Sequence, residues 1–227
     1  MSINLPGGEI LTGTLDVISQ SLTIPVLIVL LIIFLLAVIT IGAVIAEYSS
    51  RKDISVDTLK QLIYNIHDAG SPEEIKDIVN TSNLPKSEKN VLNDIADSKS
   101  LNKESREILA RKLVENEDEI IDKKLRRTDI ITRIGPTMGL MGTLIPLGPG
   151  LAALGSGDIN TLASSLTVAF NTTIVGIGSG ALAYVLGKLR GTWYDKYLSD
   201  LDALSDAVLD NMNKKYDEPL NGSDYDG

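Results

Sequence analysis

Between Asp16 and Glu47 the chain carries no charged residue, and the stretch from Ile24 to Ile45 is almost wholly Leu, Ile, Val, Ala and Phe. This run restricts the fold more than any other feature, because about 20 such residues, rising 1.5 Å each in a helix, cross a bilayer. The residues before it hold no Lys or Arg, and its apolar length exceeds that of a secretory leader's core, so a retained anchor is expected over a cleaved leader. Two more uncharged runs follow, Ile134 to Gly157 and Ile159 to Gly187, with only Asp158 between them. They predict a tight membrane hairpin. Both are richer in Gly, Pro, Ser and Thr than the first run, a composition that lipid does not require. Where helices pack on helices, small residues let backbones approach and hydroxyls bond across the contact. The second and third spans are therefore expected to face protein, and the first to face mostly lipid.

The expected fold is an all-α integral membrane protein with three transmembrane helices and long cytoplasmic helical extensions. Orientation follows from basic residues near the span ends. Residues 1 to 16 and the link at Asp158 have none, whereas Arg51, Lys52, Lys123, Lys124, Arg126, Arg127 and Arg133 lie between the first two spans and Lys188 and Arg190 follow the third. The N-terminus is thus expected outside and the C-terminus in the cytoplasm. The predicted order is a short extracytoplasmic N-terminus (1–22), a first span (23–46), a cytoplasmic helical domain (47–133), a second span (134–157), the extracytoplasmic link at 158, a third span (159–187), a cytoplasmic helix (188–216) and a disordered acidic tail (217–227). Trp193, Tyr194 and Tyr197 fall where an inner aromatic belt would stand, although a soluble helix could also hold them.

Within the cytoplasmic segments, Ser55 and Ser71 are expected N-caps, the latter followed by Pro72, Glu73 and Glu74. Ile108, Leu109, Leu113, Ile120, Ile121 and Leu125 recur at helical spacing, and Leu201, Leu204, Val208 and Met212 form a second stripe.

A formal charge of −9 and a pI near 4.7 argue against a coat for nucleic acid or anionic lipid, which reward clustered Lys and Arg. The absence of Cys removes thiol nucleophiles, iron–sulfur clusters and cysteine zinc sites. The single His, His67, lies in a polar stretch and reads as a surface residue. There is no nucleophile elbow, phosphate-binding Gly-Lys-Ser/Thr loop or His-Glu-x-x-His, so neither an enzyme nor a cofactor is expected. Gly176-Ile177-Gly178-Ser179-Gly180 lies inside an apolar span, where close helix packing explains it better than a nucleotide does.

The second and third spans hold no Asp, Glu, Lys, Arg or His, so their notable groups are hydroxyls. Gly135, Gly139 and Thr143 follow at i, i+4, i+8 and share a face. Ala169, Thr173, Gly176 and Gly180 share another, and Ser165, Thr172 and Ser179 form a stripe at heptad spacing. On spacing alone such hydroxyls read first as groups that bond a carbonyl one turn back or join helices, with pore lining as the alternative.

Ile134-Gly135-Pro136-Thr137-Met138-Gly139-Leu140-Met141-Gly142-Thr143 closely resembles the "APLLGLLGT" signature that opens the second span of ExbB and TolQ proteins. Leu162-Ala163, then Ala169-Phe170-Asn171-Thr172-Thr173-Ile174-Val175-Gly176-Ile177, is similar to that family's "LA…ALxxTAxGL" signature in the third span. Order, separation and topology agree over about residues 120 to 212. The resemblance to the MotA/TolQ/ExbB family implies a stator subunit, several copies of which, five in the family, enclose two copies of a single-span, Asp-bearing ExbD/TolR/MotB-like partner. Ion passage past that Asp then drives rotation or force transmission. It also implies that Thr143 and Thr173 face the ion path, with Thr172 replacing Thr173 if the register shifts by one, and that Gly135, Gly139, Gly142, Gly176 and Gly180 pack the helices. One departure is clear: many ExbB and TolQ proteins carry a Glu five residues before the third-span Thr, where this chain has Val168. Proton and sodium both stay open as the coupling ion. The rival readings are a structural membrane scaffold without conduction and a self-sufficient channel, for which Pro146 and Pro149 offer break points in the second span.

Overall fold

The computed structural model describes residues 8–51 and 54–216. The acidic tail at 217–227, the first seven residues and Lys52 lie outside them. The described residues are almost entirely helical and contain no strand: α1 (Gly8–Ser21), α2 (Thr23–Ser50), α3 (Val56–Asp68), α4 (Pro72–Thr81), α5 (Lys86–Ala96), a 3-10 turn (Ser98–Ser100), α6 (Lys103–Gly155) and α7 (Ile159–Tyr216). Three stretches, Ile10–Ser50, Lys103–Gly155 and Ile159–Tyr216, are long and apolar enough to cross a membrane. The chain is an all-α integral membrane protein. It divides into a membrane unit, residues 1–47 and 125–190, and a polar unit, residues 48–124 and 191–227.

In the membrane unit, α1 and α2 follow one another closely, since Leu22 N–H bonds the Ile18 carbonyl at 3.1 Å and Val26 N–H bonds the Leu22 carbonyl at 3.0 Å. Pro25 falls in the first turn of α2, where its missing N–H would have had no helical partner. One stripe of α2, Val26, Leu30, Ile33, Ala37 and Val44, is buried. Ile33 and Ala37 pack with Ile131 and Ala183, and Val26 and Leu30 with Ile145; Met138 joins both groups and Met141 the second. Most of the rest of α2, including Ile28, Leu31, Phe34, Leu35 and Ile39, is exposed, as a lipid-facing side requires. At the charged end of this unit, Arg190 pairs with Glu47 at 2.9 Å.

α6 stays helical through Pro136, Pro146 and Pro149. Each proline lacks the N–H that would bond four residues back, so the carbonyls of Thr132, Gly142 and Ile145 lose their helical donors. The second span is not broken at either suggested position.

The turn from α6 to α7 is fixed by local chemistry. Asp158 N–H bonds the Ala153 carbonyl at 2.9 Å and Gly157 N–H bonds the Leu154 carbonyl at 3.0 Å, the paired bonds of a Schellman cap. Gly157 sits at φ +83°, the left-handed conformation that this cap demands. Asp158 then caps α7, accepting from Thr161 N–H at 3.1 Å and from the Thr161 hydroxyl. Those bonds hold its carboxyl below the usual carboxylate range.

The polar unit has its own core, in which Ile66, Ile75, Val79, Leu92, Ile95, Leu201, Leu204, Val208 and Met212 are fully buried. Ser55 and Ser71 cap α3 and α4, accepting from Thr58 N–H and Glu74 N–H at 3.2 Å each. The α7 stripe of Leu201, Leu204, Val208 and Met212 is buried as its spacing predicts. On α6 the buried side is narrower than the apolar pattern. Arg106, Ala110 and Ile121 are buried while Ile108 and Ile120 are exposed, because neighbours 100° apart cannot both face one core.

Two polar groups anchor this unit. Asn211 Nδ2 donates to the carbonyls of Ile66 and His67 at 2.9 Å and of Ala69 at 3.0 Å, closing the end of α3. The wholly buried Arg106 donates to Asn213 Oδ1 at 2.5 Å and to the Leu101 carbonyl at 2.8 Å. His67 is exposed. Trp193 stacks near Tyr48 at 5.8 Å with Arg51 over it at 5.2 Å, whereas Tyr197 is held in the core by Ser87. The soluble-helix alternative therefore applies to Tyr197.

Candidate functional site in the membrane hairpin

The antiparallel contact of α6 on α7 is made by backbone and by small side chains. A Cβ added to Gly135 would stand 2.8 Å from the Gly176 carbonyl, one on Gly139 3.2 Å from Gly176 Cα, and one on Gly180 2.6 Å from Pro136 Cδ. On Gly142 it would stand 2.6 Å from Thr172 Cβ, and on Gly176 2.6 Å from both the Gly135 carbonyl and Gly139 Cα. All five glycines named from the sequence thus lie on one seam. The same register runs on to Gly150 against Ser165 and Gly187 against Thr128. Those outer contacts were missing from the sequence reading, although Gly150 follows Gly139 by eleven residues and Gly187 follows Gly176 by eleven, three helical turns along the same face.

The hydroxyls separate by position. Thr172 is 5 % exposed, seated on Gly142, and Ser179 is 6 % exposed. With Ser165 on Gly150, this heptad stripe belongs to the seam. Thr143 and Thr173 are only partly buried and border it. Gly139, one turn from Thr143 on the same face, lies against the backbone of Thr173, so both hydroxyls edge one side of the contact at nearby levels. The structure therefore brings Thr143 and Thr173 to the edge of the hairpin and seats Thr172 inside it.

All three hydroxyl protons are committed to the helix backbone. Thr143 donates to the Leu140 carbonyl at 2.6 Å, Thr173 to the Ala169 carbonyl at 3.1 Å, and Thr172 to the carbonyls of Val168 and Ala169 at 3.0 and 2.9 Å. What Thr143 and Thr173 present outward is oxygen lone pairs. Such groups suit a cation stripped of water or a neutral carboxylic acid, both of which need acceptors. No grouping of three or more His, Cys, Asp or Glu able to hold a metal occurs among the described residues.

Three helices long and apolar enough to cross a membrane, two of them meeting along a small-residue seam, define a multi-span helical membrane protein. The model of the MotA/TolQ/ExbB proton channel family matches residues 82–202, which take in the whole hairpin, and the chain belongs to that family. No curated protein matches the sequence.

Proposed function

We propose that this chain is the ring-forming stator subunit of an ion-driven membrane motor. Five copies would surround two copies of a single-span, ExbD/TolR/MotB-like partner whose membrane-embedded Asp carries the ion, with the polar unit in the cytoplasm and the N-terminus outside. In this reading the protein works by coupling proton or sodium flow to rotation or force, and it is not an enzyme. The observation that carries the proposal is the pair Thr143 and Thr173, whose lone pairs border a hairpin that has no Asp, Glu, Lys, Arg or His in its two spans. An isolated carboxylate at mid-membrane is costly, so a partner's Asp is best carried there as the neutral acid or with a bound cation. Both forms need oxygen acceptors, which these threonines offer. With Val168 where many relatives have Glu, the subunit brings hydroxyls and the partner brings the charge. Identical subunits in an odd-numbered ring around two identical helices cannot give both acids the same surroundings at once. Loading one while the other discharges then moves the ring in one direction, with about 2.3 kcal/mol available per charge per 100 mV.

Thr173→Val keeps the side-chain shape and removes the acceptor. If one hydrogen bond of about 1–1.5 kcal/mol is lost from the ion-bearing state, ion-dependent activity of the assembled complex falls roughly tenfold. Unchanged activity in a fully assembled complex would overturn the role. Purification as a closed homo-oligomer without any Asp-bearing single-span chain would favour the structural scaffold.

A further inference from the structure

Among the described residues Glu88 is the one wholly buried acid, 1 % exposed. It lies in the first turn of α5, and the groups around it come from three helices. Tyr197 on α7 has its hydroxyl 2.8 Å from Ser87 Oγ and donates to Glu117 Oε2 on α6 at 3.1 Å. The charges that act on Glu88 are Asp200 on α7 and Glu117 on α6, both negative. Its neighbour Lys89 is engaged elsewhere, donating to the carbonyls of Asn80 at 2.8 Å and Ser82 at 2.7 Å. Glu88 Oε2 is buried without a hydrogen-bond partner. An ionised carboxylate in that position would be desolvated, unbonded and faced by like charge, so the neutral acid is the form that fits.

We propose that the contact of α5 with α6 and α7 at Glu88 is a proton-operated latch in the polar unit. With Glu88 protonated, the first turn of α5 stays docked. Loss of that proton places a third negative charge beside Glu117 and Asp200 and frees α5 from the two long helices. The ligand is a single proton from the aqueous phase around the polar unit, and the inference stands whether or not the motor reading does.

Burial first, then Asp200 and Glu117, push the Glu88 carboxyl up from 4.5 to about 8. Because the folded value lies above the ordinary one, the stability it contributes is whole at acidic pH. That stability declines as pH rises past the ordinary value and is gone once pH exceeds about 8. The latch is therefore tightest at acidic pH and weakens progressively on alkalinisation.

Hydrogen exchange of the full-length protein in lipid nanodiscs, corrected for intrinsic rates, tests this from about pH 6 to about pH 9, a window that covers both the decline and its end near 8. Amides of α5 should lose protection steadily as pH rises through this window and level off once pH exceeds about 8. Glu88→Gln should abolish the transition, and Glu117→Gln, which removes one negative neighbour, should move it to lower pH. The same pH dependence in Glu88→Gln as in the parent, or protection of α5 in the parent that does not vary with pH, would overturn the latch. Should Glu88→Gln fail to fold, infrared spectra of the parent decide. A protonated-carboxyl band that vanishes as pH passes about 8 supports the latch, and absence of such a band at neutral pH overturns it.

Discussion

Gly176→Ala is the sharpest test of the hairpin's construction. The new methyl group would stand 2.6 Å from the Gly135 carbonyl, 2.6 Å from Gly139 Cα and 2.8 Å from Gly139 N, all backbone atoms with no side-chain freedom. Ordinary contact begins at 3.4 Å, so α6 and α7 would have to part by about 0.8 Å at this level. A gap of that size forfeits about a quarter to a half of each neighbouring dispersion contact, and overpacking of this kind costs about 1–3 kcal/mol. Alanine recovers up to about 1 kcal/mol over glycine inside a helix, leaving a net loss of about 0–2 kcal/mol. Gly178→Ala is the control two residues away, because a Cβ there meets nothing within 4 Å and only the helix-propensity gain applies. Reversible denaturation in mixed micelles should separate the two variants by about 2 kcal/mol, the sum of one loss and one gain. Equal stability of the two would refute the claim that backbone contact sets the seam.

Gly157→Ala forces a side chain into the left-handed turn at φ +83° and should cost about 1 kcal/mol in the same denaturation, whereas Gly155→Ala, with open space around it, should be neutral or better. Asn211→Ala strips one donor from three carbonyls at the end of α3 and should destabilise the polar unit by about 2–3 kcal/mol, read as faster amide exchange in α3. Thr143→Val should reduce ion-dependent activity with the complex intact, while Thr143→Ser, which keeps the oxygen, should retain most of it; equal loss in both variants would remove the hydroxyl from the mechanism.

The three apolar helices were legible because uncharged runs of such length are what a bilayer crossing requires, and the packing glycines were legible because their spacing keeps one face of each helix bare. Thr172 and Thr173 could not be told apart from a single strand of letters. Their difference depends on the antiparallel register that seats Thr172 on Gly142, a fact about two helices together. The apolar pairs Ile108/Leu109 and Ile120/Ile121 hid which half of α6 faces the core, since either member could have turned inward. Glu88 and Arg106 stayed invisible for a different reason. Charged letters default to the surface, and only the fold reveals the ones enclosed by neighbouring helices.

The two interfaces within the membrane unit differ in kind. Where α6 meets α7 at Gly135, Gly139 and Gly176 the touching atoms are main chain, which has no alternative rotamers, so that joint is keyed and resists any slide of one helix along the other. Where α2 meets the pair, Met138 and Met141 stand among branched aliphatics, and flexible thioethers can re-settle after a shift at small cost. Lateral play in the membrane is thereby assigned to the first helix, which can rock over an unyielding two-helix plank.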